Sequence, residues 1–271
     1  MKTLFSILKY EVETPKIFGM FHIISIAILI LLTVFLCVKF KNCSDKTFRK
    51  ICLVCWIIFL VVEAYKQFVF TYDYTSNGVV GDYQWYAFPF QLCSTSFYVL
   101  PFIAFLKDGK VRDCCISYMM TFTLFGGLTA FCYPGLVYIE YLGINIQTMV
   151  WHGLQISLGV FFAVHQREKI NLKFFFKGVI VFVILCAIAC LLNEVVFSYL
   201  STIGSDESFN MFYISRHFEN HLPLLSTAFK TMPYVVYLML YILGFTFISF
   251  AIFCVIYFIL KCVNKKKKNE A

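Results

Sequence analysis

Cys93 and His152 are the residues of this chain whose types could together perform covalent chemistry. A thiol becomes a useful nucleophile when a neighbouring base takes its proton. Cys93 sits in the run Phe88-Pro89-Phe90-Gln91-Leu92-Cys93-Ser94-Thr95, after a helix-distorting proline and beside amide and hydroxyl donors. His152 lies between Trp151 and Gly153, and the glycine permits close backbone approach. Both fall in the outer part of an apolar stretch, Cys93 about eight residues in and His152 about seven, which is a matching depth at about 1.5 Å per residue. The simpler reading of a buried cysteine is packing, as a small hydrophobe. Among the other cysteines only Cys132 shares the outer half of a helix, and it lacks the proline-led motif.

Other polar side chains keep the same depth. Counted inward from the outer ends, His22 is about five residues in, Glu63 about seven, and Asn193 with Glu194 about six, so the layer lies roughly 7–12 Å below the outer interface. Ionisable groups inside a bilayer are costly, so such a layer carries information. It predicts a polar cavity opening towards the outer leaflet. Each member also has a plainer role. Glu63 can pair with Lys66 at i,i+3, His22 can be a hydrogen-bonded bundle residue, and Gln91, Gln147 and Gln155 can join helices. Cys52 and Cys55 form a C-x-x-C inside an apolar helix with no second pair at zinc-site spacing, so no metal site is expected. No cofactor is expected either.

The elements that position these residues are apolar stretches of membrane-spanning length. Of 271 residues 61% are hydrophobic and only 14% are charged, against about 25% charged residues in soluble proteins. A span of about 30 Å needs roughly 20 apolar residues. Seven stretches qualify, at about 17–38, 50–70, 85–106, 114–134, 145–165, 174–200 and 232–260, with the third and fifth least uniformly apolar. The first is too long for the apolar region of a signal peptide and has no small-x-small cleavage site, so it reads as a retained helix.

The net charge of +8 suggests nucleic acid until its placement is read. The basic residues flank the apolar stretches, a membrane pattern, and no nucleic-acid partner is expected. Lys39, Lys41, Lys46, Arg49 and Lys50 lie in the first connection; Lys107, Lys110 and Arg112 in the third; Arg167, Lys169, Lys173 and Lys177 in the fifth; Lys261 and Lys265 to Lys268 at the end. The positive-inside rule then puts the odd connections and the C-terminus in the cytoplasm and the N-terminus outside. The expectation is an all-α, polytopic seven-helix bundle, one domain over residues 1–271. The longest outer connection, about 201–231, contains Gly204, Pro223 and the aromatic patch Phe209, Phe212, Tyr213 and Phe218. It reads either as a loop resting at headgroup level or as a lid over an outward-facing cavity.

Several of these pieces carry a family likeness. Phe21-His22-Ile23, Glu63, Pro89-Phe90-Gln91-Leu92-Cys93, Gly126-Gly127 with Pro134, His152-Gly153, Asn210 and Pro233-Tyr234 resemble the YwaF-like bacterial integral membrane proteins. More loosely the chain resembles the transmembrane protein 164 acyltransferases of animals. The likeness spans nearly the whole chain, although each motif is short. It implies acyl transfer between phospholipids through a membrane-embedded cysteine helped by a histidine, roles that fall to Cys93 and His152. Substrate contacts are then expected from His22, Glu63, Gln91 and Asn210, with membrane phospholipids as partners and a bacterial cytoplasmic membrane as the location. One departure bears on the roles: several bacterial relatives carry histidine where this chain has Gln91. Glutamine cannot act as a base, so any such role shifts to His152 or His22. Two other classes of function use the same polar layer, a small-solute or proton-coupled transporter and a sensor without chemistry.

Overall fold

A computed structural model describes residues 1–220 and 225–269, so Pro223 lies outside the described residues. The helices in chain order are α1 (Lys2–Leu8), α2 (Met20–Phe40), α3 (Asp45–Thr71), α4 (Ser96–Phe105), α5 (Lys110–Tyr118), α6 (Leu124–Cys132), α7 (Leu142–His165), α8 (Leu172–Thr202), α9 (Leu225–Thr231) and α10 (Tyr234–Asn269). One π-helical turn, Met119–Thr123, joins α5 to α6 into a continuous rod. Five helical segments are long and apolar enough to cross a membrane: α2, α3, the α5–α6 rod, α8 and the Tyr234–Val263 part of α10. Their outward side chains include Ile28, Leu31 and Phe35 on α2 and Leu243, Phe247 and Phe258 on α10, all exposed. Exposed apolar surface on this scale suits lipid contact, not water. The chain is therefore a multi-pass helical membrane protein.

The third and fifth expected stretches take a different form. Residues 85–95 form two short 3-10 turns, Trp85–Ala87 and Leu92–Thr95, before the short helix α4 begins. Pro89 has no N–H and disfavours helix at Phe88, which favours the break in the 85–106 stretch there. The fifth stretch is a full helix, α7, but it is polar and mostly buried. It packs against α2, α3, α6 and the π turn, so its polar side chains meet other helices and not lipid. The all-α expectation also needs one amendment. Strands β1 (Tyr72–Thr75) and β2 (Gly78–Gly81) form an antiparallel hairpin, with Tyr72 opposite Gly81 and Thr75 opposite Gly78.

The connections gather at two ends. At one end Arg49 donates to the carbonyls of Ala104 at 2.7 Å and Phe105 at 2.8 Å, and Arg112 pairs with Asp45 at 2.6 Å. Arg167 reaches Asn42 at 3.0 Å. Lys169 bridges Asp108 at 2.9 Å and Asp113 at 3.2 Å. The hydrogen bond from Lys169 holds the Asp108 carboxyl below its ordinary range. At the other end Lys9 pairs with Asp73, the Tyr65 hydroxyl donates to Leu8 at 2.6 Å, and the Trp85 N–H donates to Glu207 at 3.0 Å.

Half of the aromatic patch after α8 leaves the surface, while Tyr213 stays exposed and Phe218 half-buried. Phe209, Met211, Phe212 and Ile214 are fully buried in the main core, where the Phe212 ring lies 5.9 Å from that of Phe90. Phe212 and Tyr213 take left-handed backbone, at φ 59° and 57°. Such a fold-back is possible at this depth because side chains satisfy its backbone. Asn193 clamps Met211, donating to its carbonyl at 3.1 Å and accepting from its N–H at 2.8 Å.

Candidate functional site

Cys93 lies in the 3-10 turn Leu92–Thr95, and its backbone carbonyl is the best-anchored acceptor of the region. The Trp151 indole donates to it at 3.0 Å, the Ser96 hydroxyl at 3.3 Å, and the Gln155 amide also donates to it. Gln155 donates as well to the Ser96 hydroxyl at 2.8 Å. Thr148, Trp151, His152 and Gln155 follow i, i+3, i+4, i+7 spacing, so one face of α7 carries all four. That helix thus holds the cysteine segment and the histidine together.

Gly127 of the Gly126-Gly127 pair in α6 makes this approach possible. A Cβ added at Gly127 would lie 3.1 Å from the Gln155 Cβ and 3.2 Å from the His152 carbonyl oxygen. One at Gly126 would lie 3.7 Å from the Cys93 Cα. The close backbone approach expected at Gly153 is not there: a Cβ would meet the Phe131 ring at an ordinary 3.4 Å.

His152 has a defined protonation geometry. Its Nδ1 is 2.8 Å from the Thr148 carbonyl oxygen, which can only accept, so Nδ1 carries the proton. In the neutral ring Nε2 is then a lone pair. Nε2 is buried and has no hydrogen-bond partner among the described residues. Glu63 is buried as well. Its Oε1 takes Lys66 Nζ at 2.8 Å and Gln67 Nε2 at 2.7 Å, whereas Oε2 has no partner among the described residues.

The structure brings Glu63, Gln91, Cys93 and His152 to the wall of one cavity of about 170 Å³, with Lys66 and Gln147. A larger cavity, of about 300 Å³, lies on another face of α7 between Phe21, Leu29, Phe131, Met149 and Leu154, and no ionisable residue lines it.

The remaining expected contacts are placed elsewhere. His22 is fully buried away from this cavity, with both ring nitrogens engaged. Its Nδ1 accepts from the Phe18 N–H at 3.0 Å, and its Nε2 donates to the Phe131 carbonyl at 2.9 Å. Asn210 does not line the cavity. Its Oδ1 accepts from the Ser215 N–H at 2.9 Å, and its carbonyl accepts from Gln91 Nε2 at 2.9 Å. Gln91 also accepts from the Phe212 N–H at 2.9 Å, so it ties the buried loop to the cavity wall. Glu194 faces outward and pairs with Arg216 at 2.7 Å and His217 at 3.0 Å. Sequence reasoning did not assign Gln67, Thr148, Trp151 or Gln155 to the site. For the last three the available signal was their helical spacing around His152.

No curated protein and no solved structure matches the chain. A family model does: that of the TMEM164 family covers residues 17–257, a range that includes Cys93, His152 and every residue of the cavity wall. The chain belongs to the TMEM164 family.

Proposed function

We propose that this protein is a phospholipid acyltransferase working through an acyl-cysteine intermediate. The observation that carries the reading is the unpartnered, buried His152 Nε2, directed by the Thr148 carbonyl into its basic tautomer, on a residue that lines one cavity with Cys93. In the first half-reaction Nε2 takes the Cys93 thiol proton, and the thiolate attacks the carbonyl carbon of a glycerophospholipid ester. The tetrahedral oxyanion collapses, the ester C–O bond breaks, and the leaving lysolipid oxygen receives the proton from Nε2. In the second half-reaction an acceptor hydroxyl gives its proton to Nε2 and its oxygen attacks the thioester. Cys93 leaves as thiolate and recovers the proton. With water as acceptor, the same steps release a fatty acid. The Ser94 hydroxyl, and the N–H of Gln91 that does not go to the Asn210 carbonyl, would stabilise the oxyanion in this reading.

The finer topology belongs to the same reading. Seven crossings, with α4 and α7 counted beside the five long apolar helices, put the N-terminus outside and the C-terminus in the cytoplasm of a bacterial plasma membrane. The cavity then lies in the outer half of the bilayer, where membrane lipid is a more accessible acyl source than a cytosolic thioester.

The test incubates purified protein with acyl-labelled phospholipid and follows label on the protein and on an acceptor lysolipid. Cys93→Ser is nearly isosteric and is expected to keep the fold while abolishing thioester formation, because a hydroxyl ionises far less than a thiol beside the same base. Cys132→Ser, whose cysteine is exposed and outside the cavity, is expected to behave as wild type. Equal label transfer by wild type and Cys93→Ser would remove the nucleophile assignment. A tightly bound small solute with no transfer would favour the transport class.

A further inference from the structure

Two buried acceptor atoms on residues that line the cavity lack a donor among the described residues. Glu63 Oε2 and His152 Nε2 are both buried and without a hydrogen-bond partner among the described residues. Their residues are 5% and 6% exposed, and both line the cavity that Cys93 lines. A buried acceptor left unmatched is costly, and a charged one more so. A ligand completing this wall must therefore donate hydrogen bonds. In the proposed reaction Nε2 receives its proton from the thiol or from the acceptor hydroxyl. Glu63 Oε2 has no part in that chemistry.

The surroundings of Glu63 narrow what the donor is. Its Oε1 already takes the Lys66 ammonium at 2.8 Å and the Gln67 amide at 2.7 Å. The carboxylate charge is thus balanced and its orientation held. A second cation at Oε2 would sit beside the Lys66 ammonium in a poorly screened setting, where like charges repel strongly. A neutral hydroxyl supplies the missing donor without that repulsion. Lys66 also lines the cavity, and an ammonium has three donors, so it retains donors for a phosphate. The cavity of about 170 Å³ has room for a small polar head.

We infer that Glu63 is a specificity-determining residue that selects lipids whose head group carries a free hydroxyl, of the glycerol type. Choline has no N–H or O–H to offer, and ethanolamine brings the disfavoured second cation. The inference rests on the acyl-transfer reading for the step it serves, although head-group binding is measurable without turnover.

The experiment uses the full chain in detergent micelles with lysophospholipids of one acyl chain. Binding is measured by competition and by thermal shift, and label transfer is measured in parallel. Lysophosphatidylglycerol and lysophosphatidylmethanol carry the same net charge, share the free backbone hydroxyl and differ in the hydroxyls of the head group. The glycerol lipid is expected to bind about tenfold tighter, the scale of one charge-assisted hydrogen bond. It is also expected to bind tighter than the ethanolamine and choline lysolipids. Glu63→Gln is expected to shrink the glycerol-to-methanol ratio to about threefold or less, since a neutral acceptor makes a weaker bond. Equal binding of the glycerol and methanol lipids by wild type overturns the inference, whether or not the variant folds. Tighter binding of the ethanolamine lipid overturns it too. Hydroxyl-selective binding without label transfer from any donor supports the role of Glu63 and rejects the acyl-transfer reading. Transfer without head-group selectivity does the reverse.

Discussion

His22 and His152 are both buried in the helical bundle, yet their hydrogen bonds give them opposite capacities. Each nitrogen of His22 has a backbone partner, so the ring joins the start of α2 to the end of α6 and has nothing left to exchange. His152 spends one nitrogen on its own helix and keeps the other bare. His152→Gln is therefore expected to preserve assembly while lowering label transfer by about 10²–10⁴-fold, the range for losing a general base. His22→Gln is expected to do the contrary. It removes one or both of two buried hydrogen bonds, at about 1–3 kcal/mol, and leaves turnover per folded molecule close to wild type. Melting curves and single-turnover labelling on both variants separate the roles. A large loss of turnover in His22→Gln at unchanged stability would return it to the chemistry. The residue types at these positions are plain in the sequence. Which ring nitrogen is free is not, because the partners of His22 and His152 are carbonyls and an N–H that every residue type carries.

At the scale of elements, the site exists because α6 runs unusually close to α7. Gly127 sets this distance beside the site, with a Cβ there falling 3.1 Å from Gln155 and 3.2 Å from the His152 carbonyl, and Gly159 of α7 sets it further along, where a Cβ would fall 2.9 Å from Leu124. Backbone cannot give way as a flexible side-chain end can. Gly127→Val is thus expected to cost about 1–3 kcal/mol of stability, as overpacking does, and to lower the melting temperature. Gly153→Ala is the matched control. Its new methyl meets Phe131 at an ordinary 3.4 Å, and alanine is the better helix former by up to about 1 kcal/mol. It should be neutral or mildly stabilising. Destabilisation by Gly153→Ala with tolerance of Gly127→Val would assign the close approach to the wrong glycine. Both glycines stand out in the sequence beside polar motifs. Only the crossing of α6 over α7 distinguishes them.

Across the whole molecule, the connections after α2, α4 and α7 meet at one end through Arg49, Arg112, Arg167 and Lys169. The hairpin, the N-terminal segment and the start of the buried loop meet at the other. With the basic connections in the cytoplasm, a reporter fused after Lys268 is expected to read cytoplasmic and one inserted near Ser205 external. An external C-terminus would overturn both the crossing count and the placement of the cavity in the outer leaflet.

By itself the sequence determined that this is a multi-pass helical membrane protein, because the length and hydropathy of α2, α3, α8 and α10 are local properties that lipid reads directly. It also put Glu63, Cys93 and His152 at one expected depth, and the three do line one cavity, although for Cys93 the counting ran along a helix that is not formed at 85–95. Tertiary structure decided the rest. It broke the stretch at 85–106 around Pro89, drew the polar helix α7 among its neighbours, and buried Phe209 and Phe212 where a headgroup-level loop or a lid was expected. It also separated His22 and Asn210 from the cavity that Glu63, Gln91, Cys93 and His152 share. Depth says how far down a side chain sits, but rotation about the helix axis and the choice of neighbouring helix say what it faces. Those two quantities are settled by packing between residues far apart in the chain, such as Gly127 against Gln155 and Gln91 against Asn210.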